Sequence, residues 1–503
     1  MSKPMSERMS EAPRTGLARE MGLLGLTATG ICSMVGAAIN ILPFMIHRNV
    51  PGIGPHVLYA YMFAAVPAIF AGLAYAILAS AMPRAGGSYV YASRGLNPYL
   101  GFIASFSQWF ALCVAMGVVS YVLIPFLRDV ALAAEWNSIA TQLESGTLRV
   151  MLALGFLWAA VAVNLRGVKT YQRVLVPLMF LTLILGGLVI VAGFSYDHAD
   201  FAAALLAREG RGIPDIESPA LSLRTFLPAA AILFSSFIGF DSIAQAGGEA
   251  RNPGRTLPLA IGIAIIGVGI FYMLFTAAVN HAIPWQYVAE QARTHDLTAP
   301  GLLGYVLPRP WTVLIVAGAA VALIKDLPPM LLGVSRLMFA WAEDGIFPRA
   351  VAAVHPRWHT PHVAIVCSAV MASLGILGSH LAGDFFLGID ILVTAMLVNF
   401  MLMCLAVITL PGRSPAIARD VTVVPQRAWQ LVVGIAGIVT LGGFLAVHTV
   451  KDLTAPVAAW YFRSTPLWLG VMAVATLIYL REMGALRRAG VDVRARFATL
   501  PPE

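Results

Sequence analysis

The chain has 503 residues, of which 59% are hydrophobic and only 12% charged, where an ordinary soluble domain carries about 25% charged residues. That composition, with a mean hydropathy of +0.80, excludes a soluble fold. The net charge of +8 gives no support to a nucleic-acid partner, because most of the lysines and arginines sit in connectors between apolar runs or at their ends.

Apolar runs of roughly 20 residues, each long enough to cross about 30 Å of hydrocarbon as a helix, recur along the whole sequence. A polar leader, 1–16, carries Lys3, Arg8 and Arg14, and the run after it is too long for a signal-peptide core, so it is expected to stay as a membrane helix. The predicted spans are 17–45, 57–82, 98–127, 148–166, 171–194, 223–249, 256–283, 311–342, 361–379, 385–410, 429–448 and 465–481. An all-α integral membrane protein with 12 transmembrane helices follows. With the N-terminus inside, the inner segments hold 22 of the 33 Lys and Arg residues and the outer ones 10, while Lys325 falls within a span. The excess of basic residues marks the cytoplasmic side, so both termini, including the tail 482–503, are expected in the cytoplasm of a cell inner-membrane protein. Cys32, Cys113, Cys367 and Cys404 all fall inside apolar runs and read as buried free thiols.

The first span contains Gly30-Ile31-Cys32-Ser33-Met34-Val35-Gly36-Ala37-Ala38, a run of small residues that a lipid-facing helix does not need. The sixth contains Phe234-Ser235-Ser236-Phe237-Ile238-Gly239-Phe240-Asp241, with an acid at bilayer depth. Matching interruptions in two halves point to a transporter site, because an unwound segment releases backbone groups that lipid cannot satisfy and that must face a polar cavity. Helix N-termini there suit a carboxylate, and freed carbonyls suit an ammonium. Small residues at these positions also fit close helix packing, but packing does not account for Asp241.

Lys325 and Asp326 stand near the middle of the eighth span, where each charge costs roughly 2.5–3.5 kcal/mol on insertion scales. Neighbours on a helix point about 100° apart, so each is expected to have its own partner rather than the other. Pro328 and Pro329 follow, and the clash of a proline ring with the carbonyl four residues back is expected to free the carbonyls of Ile324 and Lys325. Among weaker candidates, Gln108 and Trp109 are read as possible cavity residues and Tyr121 as a possible gate.

Three segments carry a family resemblance: Pro83-Arg84-Ala85-Gly86-Gly87-Ser88-Tyr89-Val90-Tyr91; Gly239-Phe240-Asp241 leading to Gly248-Glu249-Ala250-Arg251-Asn252-Pro253; and Arg336-Leu337-Met338-Phe339-Ala340 through Glu343-Asp344-Gly345. In this order and spacing the chain resembles the amino acid, polyamine and organocation transporters, in particular bacterial amino acid permeases and the cationic amino acid transporter branch. The resemblance implies a 5+5 inverted repeat with broken helices 1 and 6, the first repeat over 17–194 and the second over 223–410, with 429–481 peripheral. It also implies alternating access. By the family's pattern the substrate carboxylate meets the amides of Gly36, Ala37 and Ala38, and the ammonium meets the carbonyls of Met34, Ser235 and Ile238. The usual Gly-Ser-Gly is here Gly36-Ala37-Ala38, so the substrate is either placed differently or lacks an α-carboxylate.

In relatives, the position of Lys325 lies where hydroxyl residues help bind a sodium ion, and in some proton-coupled relatives a lysine on span five fills that place. Here Val176-Pro177-Leu178-Met179-Phe180 has no lysine, so the resemblance implies that the charge has moved to span eight, with the Lys325 ammonium on the carbonyls of Cys32 and Val35. Lys325, Asp326, Cys32 and Val35 are therefore the expected coupling residues, in a carrier that is sodium-independent and either proton-linked or an exchanger. The substrate is an amino acid or related amine, with polyamine exchange as an alternative. A sensor or channel on the same scaffold is a further reading. An integral-membrane enzyme would want an HExxH, a Ser/His pair or paired carboxylates, and the sequence has none of them. No catalytic residue, metal or cofactor is expected, and the partners are the small-molecule substrate and the lipid bilayer.

Overall fold

The computed structural model describes residues 16–382, 385–455 and 463–501; all but Gly16 of the leader 1–16 lies outside them. Among the described residues, twelve helices are long and apolar enough to cross a membrane: Leu23–Asn49, Gly54–Ala81, Pro98–Ala133, Gly146–Leu165, Val168–Ser195, Leu223–Gln245, Pro253–Ala282, Arg309–Glu343, His362–Leu381, Leu387–Arg413, Arg427–Thr454 and Ser464–Arg488. They are numbered here as spans 1 to 12. Each answers to one predicted run, with ends moved by several residues. Span 1 starts at Leu23 rather than 17 because Met21 is held in extended backbone, its N–H donating to Glu249 O (2.8 Å) and its carbonyl accepting from Arg251 N (2.9 Å).

Spans five apart in order pack against one another: 1 on 6, 2 on 7, 3 on 8 and 4 on 9. Small residues permit the close approach. Ala60, Ala64, Ala68 and Ala71 form a fully buried stripe along span 2, while Tyr59, Met62, Val66 and Ile69 on its other face are exposed, as lipid-facing side chains are. A Cβ on Gly193 of span 5 would lie 2.5 Å from the backbone of Ala278 in span 7. Spans 1 and 6 are the most deeply enclosed, with 82% and 83% of their apolar stretches buried against 22% for span 12. The two helices with interrupted sequences are thus the centre of the bundle. Cys32, Cys113 and Cys404 are buried, but Cys367 is exposed on span 9, which corrects the reading of four buried thiols: an apolar run offers a thiol a lipid-facing position as readily as an inner one.

The three resemblance segments meet at one end of the bundle and close it. Gly86 N–H donates to Gln245 O at 3.1 Å. Arg336 holds Glu249 through two hydrogen bonds, 2.5 and 3.2 Å long, with both side chains buried. Arg94 likewise grips Asp344 with two nitrogens, and Tyr89 OH donates to the same carboxylate at 2.7 Å. The paired geometry meets the desolvation cost of these charges. Gly86 has φ +75, and a Cβ there would sit 2.3 Å from that of Ala340, so glycine is the residue that fits. The C-terminal segment lies on the same end, where Arg94 donates to Thr499 O at 3.0 Å and Arg496 to Glu343 O at 2.7 Å.

Candidate functional site

Span 1 is helical over Leu23–Met34, breaks at Val35 and Gly36, and resumes over Ala37–Asn49. Span 6 is helical over Leu223–Leu233, tightens into a 3-10 turn over Phe234–Phe237 and turns through Gly239, at φ +132, into the short helix Asp241–Gln245. The two breaks touch backbone to backbone: a Cβ on Gly239 would stand 2.4 Å from Ser33 O and 3.0 Å from Met34 N. Gly239→Ala therefore meets both a left-handed backbone and a collision with main chain that has nowhere to move. The variant is expected to melt at clearly lower temperature and to lose uptake, as checked by thermal melting of the purified protein; an unshifted melting temperature would show that the breaks can part freely.

Several backbone groups released by the breaks are taken up inside the protein, as lipid burial demands. Lys325 Nζ donates to Cys32 O at 3.0 Å and also to Val35 O. Tyr272 OH donates to Met34 O at 2.5 Å, Asn40 Nδ2 to Gly36 O at 3.1 Å, and Ile238 N–H to Ser235 O at 3.2 Å. Lys325 is fully buried and also pairs with Asp326 Oδ1 at 3.0 Å. That pairing corrects the expectation of separate partners: the Cα–Cβ bonds diverge, but the four-carbon stem of lysine brings its ammonium back over the next residue. Span 8 runs as unbroken helix through Pro328 and Pro329, and Asn164 Nδ2 of span 4 donates to Pro328 O at 3.1 Å.

Between the breaks lies a cavity of about 90 Å3. Met34, Ala38, Ser235, Ile238 and Asp326 line it. Its other walls are mainly aliphatic, including Leu42, Leu112, Val118 and Leu392. Val118 is shared with a wider vestibule of about 380 Å3 at the end opposite the closure, where Arg48, Tyr121, Arg149 and Asp296 stand. Gly36 does not line the cavity, because the Asp326 carboxylate covers its α-carbon: a Cβ on Gly36 would lie 1.6 Å from Asp326 Oδ2. Ala37 begins the second half-helix, and its side chain is outside what is described. Tyr121 OH hydrogen-bonds His380 Nδ1 at 3.0 Å under the Arg149 guanidinium.

Asp241 sits beneath the cavity, 1% exposed. Its carboxylate accepts from Gly239 N at 3.1 Å and from Gln108 Nε2. Gln108 Oε1 in turn accepts from Asn399 Nδ2 (3.3 Å) and Gln245 Nε2 (3.4 Å), and Gln245 donates to Ser88 Oγ at 2.7 Å. Tyr75 OH bonds Ser88 Oγ at 2.6 Å and accepts from Asn399 Nδ2 at 2.8 Å. A buried polar chain thus leads from the span 6 break to the closed end. Gln108 is part of this chain, not of the cavity wall, and Trp109 is turned to Ser368, its Nε1 3.1 Å from Oγ. Sequence reasoning missed Tyr272, Asn399, Gln245 and Tyr75. Their only signal was a polar group within an apolar run.

The model of the amino acid permease family matches residues 21–474. The chain is 27% identical over 420 residues to the branched-chain amino acid permease of Bacillus subtilis, covering 80% of this chain and 83% of that protein. It is 27% identical over 381 residues to cationic amino acid transporter 4 of Mus musculus, covering 74% and 56%. Against the low-affinity putrescine importer of Escherichia coli strain K12 the identity is 24% over 350 residues, covering 69% and 70%.

Proposed function

The chain belongs to the amino acid permease family, and on that premise we propose that it carries an amino acid or related amine across the cytoplasmic membrane by alternating access, without sodium. Spans 1–5 and 6–10 act as the two repeats, a reading supported by the packing of spans five apart. Substrate enters from the wide vestibule to the cavity at the breaks, while the pairs Arg336–Glu249 and Arg94–Asp344 keep the cytoplasmic end shut. Met34, Ser235 and Ile238 line the space for the substrate head group, with Gly36, Ala37 and Ala38 at the start of the second half-helix and Asp241 below it.

The observation that carries the sodium-independent reading is the fully buried Lys325 ammonium on the carbonyls of Cys32 and Val35. A fixed cation there fills the space between the carbonyls and repels a second one, and it ties span 8 to the broken helix. The test is uptake into proteoliposomes with sodium and pH gradients imposed separately. Accumulation that ignores sodium is expected, driven by a proton gradient or by internal substrate; sodium-driven accumulation would overturn the reading.

A further inference from the structure

We propose, resting on the transport reading above, that the cavity takes a primary amine with an apolar body and no carboxylate on the ammonium-bearing carbon, because Asp326 occupies the place of that carboxylate with its own. Asp326 is one residue from Lys325, 5% exposed, and reaches across from span 8 to the span 1 break. Its Oδ1 is held by the Lys325 ammonium at 3.0 Å. Its Oδ2 lies so close over Gly36 that a Cβ there would be 1.6 Å away. The carboxylate is therefore set against the residue that precedes Ala37, where the half-helix Ala37–Asn49 begins, and the positive end of a helix is where a carboxylate gains most.

Charge balance points the same way. Among the described residues, the charged side chains that meet the two breaks are Lys325, Asp326 and Asp241. One lysine against two aspartates leaves one formal negative charge in a buried site. An incoming ammonium balances it, whereas a zwitterion adds nothing to the balance and sets a second carboxylate beside Asp326. Like charges at close range inside a protein reject the wrong ligand, just as attractive contacts select the right one. Asp326 is also the single charged side chain among the cavity's described lining residues. The aliphatic walls suit a branched or straight hydrocarbon body, and the Ala38 methyl narrows the end nearest the half-helix.

Matched pairs that differ only by the carboxylate test this: leucine against 3-methylbutylamine and valine against isobutylamine, with binding measured by calorimetry on the full chain in nanodiscs and transport by counterflow in proteoliposomes. Each amine is expected to bind at least tenfold more tightly than its amino acid. Asp326→Asn should erase or invert that ratio, and Asp326→Glu should keep it. Should Asp326→Asn fail to fold, the wild-type ratio decides alone. Amino acids that bind as tightly as their amines, or amino acid counterflow without amine counterflow, would overturn the role of Asp326 while leaving the transport reading intact. Amine binding without counterflow supports the specificity and removes transport; no response to any of the four compounds overturns both.

Discussion

Lys325→Ala is expected to abolish uptake and to destabilise the purified protein by about 3–5 kcal/mol, the range for removing one partner of a buried ion pair. The lysine is fully buried and donates to two main-chain carbonyls of the span 1 break and to Asp326. Alanine withdraws all three bonds at once, leaving the carbonyls of Cys32 and Val35 without this donor and the Asp326 carboxylate without its counter-charge. Arginine does not rescue by charge alone, since its planar fork is longer and bulkier than the ammonium it replaces. A double variant separates stability from mechanism. Lys325→Met with Asp326→Asn removes the pair as a unit, which buried pairs tolerate far better than the loss of one member. It should regain much of the lost stability in thermal melting and none of the uptake. Wild-type melting and uptake in Lys325→Ala would show that the break is held by other contacts.

The breaks themselves were legible because bilayer depth makes small and polar residues conspicuous: Gly36 and Gly239 mark the two places where the backbone leaves the helix. Helix count was legible for the same reason, since each span must be apolar along its length. What the residues did not disclose is which helix faces which. Gln108, Gln245, Asn399 and Tyr75 lie on four different spans or their ends and form one chain of hydrogen bonds, yet in sequence each is a lone polar group in an apolar run. Lys325 and Asp326 went wrong in a different way. The helical angle between adjacent residues is correct for Cβ atoms, but a lysine carries its charge at the end of four methylenes, and the pair closes at 3.0 Å. The resemblance segments identified a family without indicating what they build. In space they form the closure of one end, Arg336 on Glu249 and Arg94 on Asp344.

Asp241→Asn is expected to lower uptake at least tenfold, about 1.4 kcal/mol of coupling, with melting unchanged or slightly raised. The carboxylate is 1% exposed and accepts from neutral donors, among them Gly239 N and Gln108 Nε2. Asparagine has the same shape and keeps an oxygen for Gly239 N, but its amide meets Gln108 only if Gln108 turns over, which takes Gln108 Oε1 from Asn399 and Gln245. The fold thus has to rearrange the amide contacts of Gln108, and the buried charge it sheds, which no described cation pairs with, offsets that cost. Function responds differently. With Asp241 neutral, the site at the breaks holds Lys325 and Asp326 alone and carries no net charge, so an ammonium arriving in the cavity becomes an unbalanced cation in a low-dielectric place. Affinity for the substrate and any linkage to protons should fall together. Uptake measured across a range of external pH, alongside melting of the same preparation, tells the two roles apart. Wild-type uptake at every pH would make Asp241 a part of the scaffold, holding the Gly239 turn and the Gln108 chain in place, and would leave the cavity's charge balance to Asp326 and Lys325.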